Sequence, residues 1–263
     1  MGAIAYLDCP TGISGDMCLA ALVSAGVPLE HLQEIIQKLG LDREVKLWKE
    51  LVKRGGVEAT KVHVELTEHI HTHHDHSHAH HHSPEKHGKH RHLPEIEGII
   101  TNGNLPTQVT EWSLAIFRQL AIAEGAIHGI APEQVHFHEV GALDAIADIV
   151  CTCAGLVWLE IEELYCSALP TGGGYVNCEH GRMPVPAPAT LKLWEMHQFT
   201  VFDNGIRKEL VTPTGAAIAA TLCKQSGEVP LMTVQKVGLG AGNQELAIPN
   251  ILRLWIGESK KKV

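Results

Sequence analysis

The chain is short of basic residues. Its 21 Lys+Arg face 30 Asp+Glu, a formal charge of −9, so no nucleic-acid partner is expected, because gripping a phosphate backbone takes a surplus of cations. It has no clean membrane-length apolar run either: the most apolar long stretch, Val140 to Leu159, contains Asp144 and Asp148, and two acids exclude it as a span. The opening Met1-Gly2-Ala3-Ile4-Ala5-Tyr6-Leu7-Asp8 lacks the basic region of a secretory signal. The seven cysteines (Cys9, Cys18, Cys151, Cys153, Cys166, Cys178 and Cys223) are odd in number and scattered, so neither a disulfide framework nor a CxxC zinc site is expected. These absences together predict a reduced, cytoplasmic protein with no membrane association. Phe and Tyr are scarce as well, four and three.

Histidine is abundant: 19 residues. Near pH 6.5 about half of ordinary imidazoles carry a proton, which nearly cancels the acidic excess and places the sequence pI near 6.1. Net charge here responds to protons or to metal ions. Twelve of the histidines fall in the 24 positions from His69 to His92, HIHTHHDHSHAHHHSPEKHGKHRH, which hold a single isoleucine. Such a composition buries too little apolar surface to offset its ordering entropy, so a disordered inserted loop is expected over 69–92. Neutral imidazoles suit Ni²⁺, Zn²⁺, Cu²⁺ and Co²⁺, which makes His71, His73, His74, His76, His78, His80, His81 and His82 candidate metal ligands. Catalysis needs fixed geometry, so the tract is not expected to be the reaction centre.

The rest reads as an α/β chain, a mixed α+β arrangement of one central mixed sheet flanked by helices, forming one domain over 1–263 with a polar tail at 258–263. Ala3 to Leu7 is an apolar strand. Glu44 to Trp48 and Val57 to Leu66 alternate around Gly55-Gly56, a hairpin pattern. Helical spacing covers Ser14 to Ala25, Leu29 to Leu39, Pro106 to His128, Val140 to Leu159, Pro186 to Met196 and Thr214 to Leu222. Strands are expected at Leu164 to Ala168, Tyr175 to Cys178, Leu231 to Val237 and Ile251 to Ile256.

Three stretches carry chemistry. In Asp8-Cys9-Pro10-Thr11-Gly12-Ile13-Ser14-Gly15-Asp16, a strand, a glycine-bearing turn and a helix start present free backbone N–H groups to a phosphate. Gly12, Ser14 and Gly15 are the candidate phosphate contacts, and Asp8 and Asp16 could hold a divalent cation beside it. The P-loop lysine is missing, so a Walker site is excluded. The competing account is that Ser14 caps the helix and Asp16 favours its positive end. In His136-Phe137-His138-Glu139-Val140-Gly141-Ala142-Leu143-Asp144-Ala145-Ile146-Ala147-Asp148, four potential ligands (His136, His138, Asp144 and Asp148) fall within thirteen residues. Asp144 and Asp148 share a helix face in an otherwise apolar helix, where carboxylates need a partner or a metal; the alternative is capping or ion pairing. The third stretch, Pro170-Thr171-Gly172-Gly173-Gly174-Tyr175 followed by Glu179-His180-Gly181-Arg182, is either a ligand loop at Gly172, Gly173 and Gly174 or a plain hairpin turn. Gly238-Leu239-Gly240-Ala241-Gly242 has no helix after it, which excludes a dinucleotide fingerprint.

Tyr6-Leu7-Asp8 with Gly12-Ile13-Ser14-Gly15-Asp16-Met17, and His136-Phe137-His138-Glu139-Val140-Gly141 with Asp144 and Asp148, resemble the LarC family of nickel-insertion proteins. So do Leu169-Pro170-Thr171-Gly172-Gly173-Gly174, Pro184-Val185-Pro186-Ala187-Pro188-Ala189 and Thr212-Pro213-Thr214-Gly215-Ala216. The resemblance covers nearly the whole chain and includes an internal histidine-rich loop. It implies insertion of Ni²⁺ into pyridinium-3,5-bisthiocarboxylic acid mononucleotide, with CTP and Mn²⁺ or Mg²⁺, to make the nickel-pincer cofactor of lactate racemase. Nickel is then held by two sulfurs and a ring carbon, so a ring proton must leave and a base is needed. His138 or Glu139 is the expected base, with His136, Asp144 and Asp148 gripping metal. Members of the family continue into a further region tied to CTP handling, so the resemblance also implies a C-terminal partner polypeptide or a longer product; a homo-oligomer is expected. A non-catalytic nickel store and a metal-dependent phosphohydrolase using Asp8, Asp16, Asp144 and Asp148 are the competing functions.

Overall fold

The computed structural model describes residues 3–67, 91–137, 143–178 and 181–260. In chain order the first half comprises β1 (Ala3–Asp8), α1 (Gly15–Ser24), α2 (Leu29–Lys38), β2 (Val45–Arg54), β3 (Val57–Leu66), β4 (Arg91–His92), α3 (Leu93–Asn102), α4 (Thr107–His128) and β5 (His136–Phe137). It continues with α5 (Leu143–Trp158), β6 (Ile161–Cys166), β7 (Leu169–Pro170), β8 (Tyr175–Cys178), β9 (Gly181–Pro184) and α6 (Pro188–His197). The last elements are β10 (Val201–Phe202), α7 (Pro213–Leu222), β11 (Cys223–Ser226), β12 (Met232–Ala241) and β13 (Ile251–Ser259).

Seven strands form the central mixed sheet, in the order β11-β6-β1-β13-β12-β3-β2. β1 pairs parallel with β6 and antiparallel with β13, and β12 pairs antiparallel with β13 and parallel with β3. With β11 parallel to β6 and β2 antiparallel to β3, five strands run one way and only β13 and β2 oppose them. The loops that leave β1 and β12 therefore emerge on the same edge, where ligands collect in open α/β sheets.

One apolar core holds the layers together. α1 buries Met17 through Val23, lying between the sheet and α5, whose residues from Leu143 to Leu156 are buried except Asp144 and Asp148. At full burial such side chains each contribute roughly 1.5–3 kcal/mol. The close approach of α1 to the sheet explains why β12 runs on to Ala241, beyond the Val237 end that the pattern predicts. A Cβ at Gly238 would lie 2.0 Å from the Ala21 carbonyl oxygen, and one at Gly240 2.1 Å from that of Met17. The expected strand stops short of these glycines, but they are strand positions stripped of side chains so that a helix can lie on them.

β3 meets β12 through a single pair, Gly240 with Thr60. From Val62 onward it runs past the end of β12, and Val62, His63 and Val64 form a wall above the edge. All seven cysteines are free thiols. Burial pushes Cys153 up to about 12 and Cys9, Cys18 and Cys151 well above the usual thiol range, so these are packing residues and not metal-binding thiolates. Among the described residues, no helix is long and apolar enough to cross a membrane.

Candidate functional site

Two cavities adjoin at the start of α7. The first, about 300 Å³, is lined by Ser14, Gly15 and Asp16 of the α1 start, Val62, His63 and Val64 of the β3 wall, Asp144, Ala145 and Asp148 of α5, Thr212 and Thr214 of α7, and Asn243 after β12. Three helices thus bring their first turns to one space. Gly12 and Gly15 make this possible. Gly12 has φ +98°, and a Cβ there would lie 1.8 Å from the Leu210 carbonyl oxygen, the atom that accepts from Ile13 N–H at 3.0 Å. A Cβ on Gly15 would lie 2.3 Å from Asp148 Oδ2, so only glycine lets α1 approach this carboxylate.

The three carboxylates in this cavity are not equivalent. Asp16 and Asp144 stand in first helical turns, and each Oδ1 accepts the backbone N–H of the next residue, Met17 and Ala145, at 2.9 Å. Helix starts favour such charge. Asp148 is one turn further in, where backbone N–H groups are already committed to the helix. The residue as a whole is partly exposed, but its Oδ1 is sealed from solvent and has no hydrogen-bond partner among the described residues. Burial, together with the charges of Asp16 and Asp144, pushes its carboxyl well above the usual range. Asp144 is raised by burial and partly restored by the Ala145 N–H. Ser14 occupies the N-cap position without capping the helix; its hydroxyl donates to Asp16 Oδ1 instead. Opposite, Lys61 Nζ donates to Asn243 Oδ1, and Asn243 Nδ2 donates to Asp16 Oδ2 at 2.9 Å. Lys61 is only 6% exposed; burial lowers its pKa and the Asp16 charge pulls it partly back.

The second cavity, about 330 Å³, is lined by apolar groups including Ile127, Phe137, Val176, Met183 and Pro188, with Glu124, His128, His136, Cys178 and Glu209 among them. It shares Thr212 and Thr214 with the first. Thr212 Oγ1 accepts the Gly215 N–H at 3.1 Å, which fixes the start of α7 between the two spaces.

The structure brings Asp16, Asp144 and Asp148 together, with Ser14 and Gly15 beside them. It puts His136 in the neighbouring cavity and Asp8 outside both: Asp8 pairs across the strands with Arg253. Gly172, Gly173 and Gly174 line neither cavity. They press against a neighbouring loop instead, a Cβ at Gly172 coming within 2.2 Å of the Lys208 carbonyl oxygen, while Gly174 O accepts from Val185 N–H at 3.0 Å. His138, Glu139, Glu179, His180 and the tract residues His71, His73, His74, His76, His78, His80, His81 and His82 lie outside the described residues. Among the described residues no group of three or more His, Cys, Asp or Glu, the Asp16, Asp144 and Asp148 set included, is placed to hold a metal ion as it stands. Sequence reasoning gives no role to Lys61 or Asn243 and holds Thr214 only within a helix-start motif. Lys61 left a trace, a lysine inside the alternating strand next to Thr60 and Val62, and Asn243 follows the glycine run that ends β12.

The family described as Nickel insertion protein matches residues 5–263. A relative from Rippkaea orientalis, named for nickel insertion, is 64% identical over 98% of this chain and 61% of its own length. Relatives of the same name from Gloeothece citriformis and Synechocystis sp. are 62% and 60% identical over 98% of this chain, covering 62% and 58% of their own lengths. The chain thus spans about three-fifths of the length of these relatives. No solved structure matches it. A match over nearly every residue, on a chain whose helix starts converge on acidic side chains, leaves one assignment: the chain belongs to the nickel insertion protein family.

Proposed function

We propose that this chain carries the nickel-insertion centre for pyridinium-3,5-bisthiocarboxylic acid mononucleotide, yielding the nickel-pincer cofactor that lactate racemase uses. Ni²⁺ is the substrate metal. It binds the two thiocarboxylate sulfurs, whose softness suits it, and takes the place of the ring proton between them. One Ni²⁺ enters and one proton leaves as the nickel–carbon bond forms. His138 or Glu139, shortly after His136 in the sequence, is the proposed base.

The observation that carries this reading is the orphaned Asp148 oxygen in a cavity shared with Asp16 and Asp144. A sealed carboxylate oxygen without a partner makes the charged form costly, and a divalent ion offsets that cost. Oxygen donors of this kind suit Mn²⁺ or Mg²⁺, so Asp16, Asp144 and Asp148 would hold the hard cation that the CTP-dependent reaction uses. Bound there, the ion supplies charge neutralisation for a phosphate. The start of α7 would offer the Thr214 N–H and hydroxyl to that phosphate, the Thr212 N–H being donated to the Ile13 carbonyl, and the apolar cavity beyond would receive the flat ring. Steps that handle CTP itself are assigned to the further length present in the relatives, either on the same polypeptide or as a partner. The histidine tract is proposed to gather nickel, with no part in bond making.

The test is insertion by purified protein supplied with Ni²⁺, CTP, Mn²⁺ and the pyridinium substrate, completed where needed by the remaining family region. Asp148→Asn should abolish product while leaving nickel uptake by the tract intact. Turnover unchanged by Asp148→Asn and Asp144→Asn would discredit the site.

A further inference from the structure

β4 and β5 form an isolated two-stranded ladder in which His92 sits directly opposite His136. Their rings have centroids 3.8 Å apart, tilted by 52°, so both imidazoles lie on the same side of the ladder, as directly opposed residues do. The ladder is anchored from its other side. Phe137 is 2% exposed and meets Phe117 edge-on at 6.3 Å, and alternation along a strand then turns His136 away from the core. The His92 backbone N–H donates to Glu95 Oε2 at 3.0 Å, which ties this strand to the start of α3 with a carboxylate near the imidazole pair.

We infer that His92 and His136 form a two-imidazole chelating site for Ni²⁺ at the rim of the apolar cavity, separate from the acidic cavity. Imidazole nitrogen suits Ni²⁺ where carboxylate oxygen suits Mg²⁺ or Mn²⁺. Two imidazoles fixed on one ladder also act at an effective concentration that scattered surface histidines lack. His92 closes the histidine-rich stretch in the sequence and His136 lines the cavity, so a metal held between them stands at the edge of the space proposed for the ring.

The experiment uses the full chain with the eleven histidines from His69 to His90 changed to asparagine, which removes the background of weak sites. Ni²⁺ alone is titrated by calorimetry, and Cu²⁺ is read by the nitrogen hyperfine splitting of its electron paramagnetic resonance spectrum. One Ni²⁺ per chain is expected, with two nitrogens on Cu²⁺. His92→Ala and His136→Ala should each weaken Ni²⁺ about tenfold or more, and the double variant no further than either single one, because a chelate is lost once. His92→Gln and His136→Gln, judged folded by circular dichroism, should behave alike. Asp148→Asn should leave this binding untouched and weaken Mn²⁺ instead, so failure of the pair and failure of the acidic site are separable. Nickel affinity indifferent to His92→Ala, strictly additive losses, or loss only on Asp148→Asn would each overturn the inference.

Discussion

The two cavities share the Thr212–Thr214 corner and differ in how they treat charge. On one side, three carboxylates converge, two supported by backbone N–H groups and the third, Asp148, with its Oδ1 sealed from solvent and without a hydrogen-bond partner among the described residues. On the other, Ile127, Phe137, Val176, Met183 and Pro188 line a space of nearly the same volume. A folded chain tolerates an uncompensated acid only at a cost, whereas an apolar slot costs little to keep. On the proposed reading the contrast separates two jobs, holding a hard cation with its phosphate and seating a ring together with a softer metal, and one helix start would serve both.

The comparison breaks first at Asp148. Asp148→Asn keeps size and removes charge, and insertion measured under saturating Ni²⁺ should fall by about 100-fold or more, a loss expected when a group that fixes a metal is removed. The opposite intervention fills the apolar side: Val176→Trp should raise the apparent KM for the pyridinium substrate by about tenfold, roughly 1.4 kcal/mol, and leave Mn²⁺ binding as it was. If Val176→Trp disturbs Mn²⁺ and spares the substrate, the division of labour is wrong. Gly15→Ala tests the approach of α1 to α5. The new methyl collides with Asp148, and overpacking of this kind costs about 1–3 kcal/mol, visible as a lowered melting temperature that Asp148→Ala should partly restore.

Protonation sharpens the contrast further. The Asp148 and Asp144 carboxyls sit above their unfolded range because of burial, so between the ordinary Asp pKa, about 3.9, and their raised values the folded state binds more protons than the unfolded one. Stability of the metal-free protein therefore falls as pH climbs through that window. Melting temperatures should show this decline, Asp148→Asn should flatten it, and Mn²⁺ should reverse it in the parent with release of protons. The smallest effect belongs to the shared corner: Thr212→Ala removes the acceptor for the Gly215 N–H and should cost about 1 kcal/mol of stability in denaturant melts.

Much of this arrangement can be read in the residues. The four-residue spacing of Asp144 and Asp148 in an apolar helix foretells two acids on one face, and both line the acidic cavity. Asp16 joins them because the turn after β1 delivers α1 there, which the strand–turn–helix pattern also foretells. Partner choice across long separations is harder to read. That Asp8 would meet Arg253, 245 positions away, depends on the register of β1 with β13, and no local pattern encodes it. The expectation for Gly172-Gly173-Gly174 is ambiguous for a physical reason: a glycine that admits a ligand and a glycine that admits another backbone leave the same trace. Lys61 is hidden in another way, since a lysine in an alternating strand reads as solvent-facing until the sheet splays around it. His138 and Glu139, the residues proposed as base, lie outside the described residues.

The single rung between β3 and β12 has a consequence for how the acidic cavity behaves over time. Amides in β1 and β13, locked in continuous ladders, should exchange with deuterium only when the whole domain opens, whereas those from Lys61 to Leu66 can exchange through local detachment of the hairpin. A cation gripping α1 and α5 does not touch that rung, but a bulkier guest resting against Val62 and Val64 would brace it. Slowed exchange in this one stretch is therefore a fingerprint of occupancy, readable before any product is made.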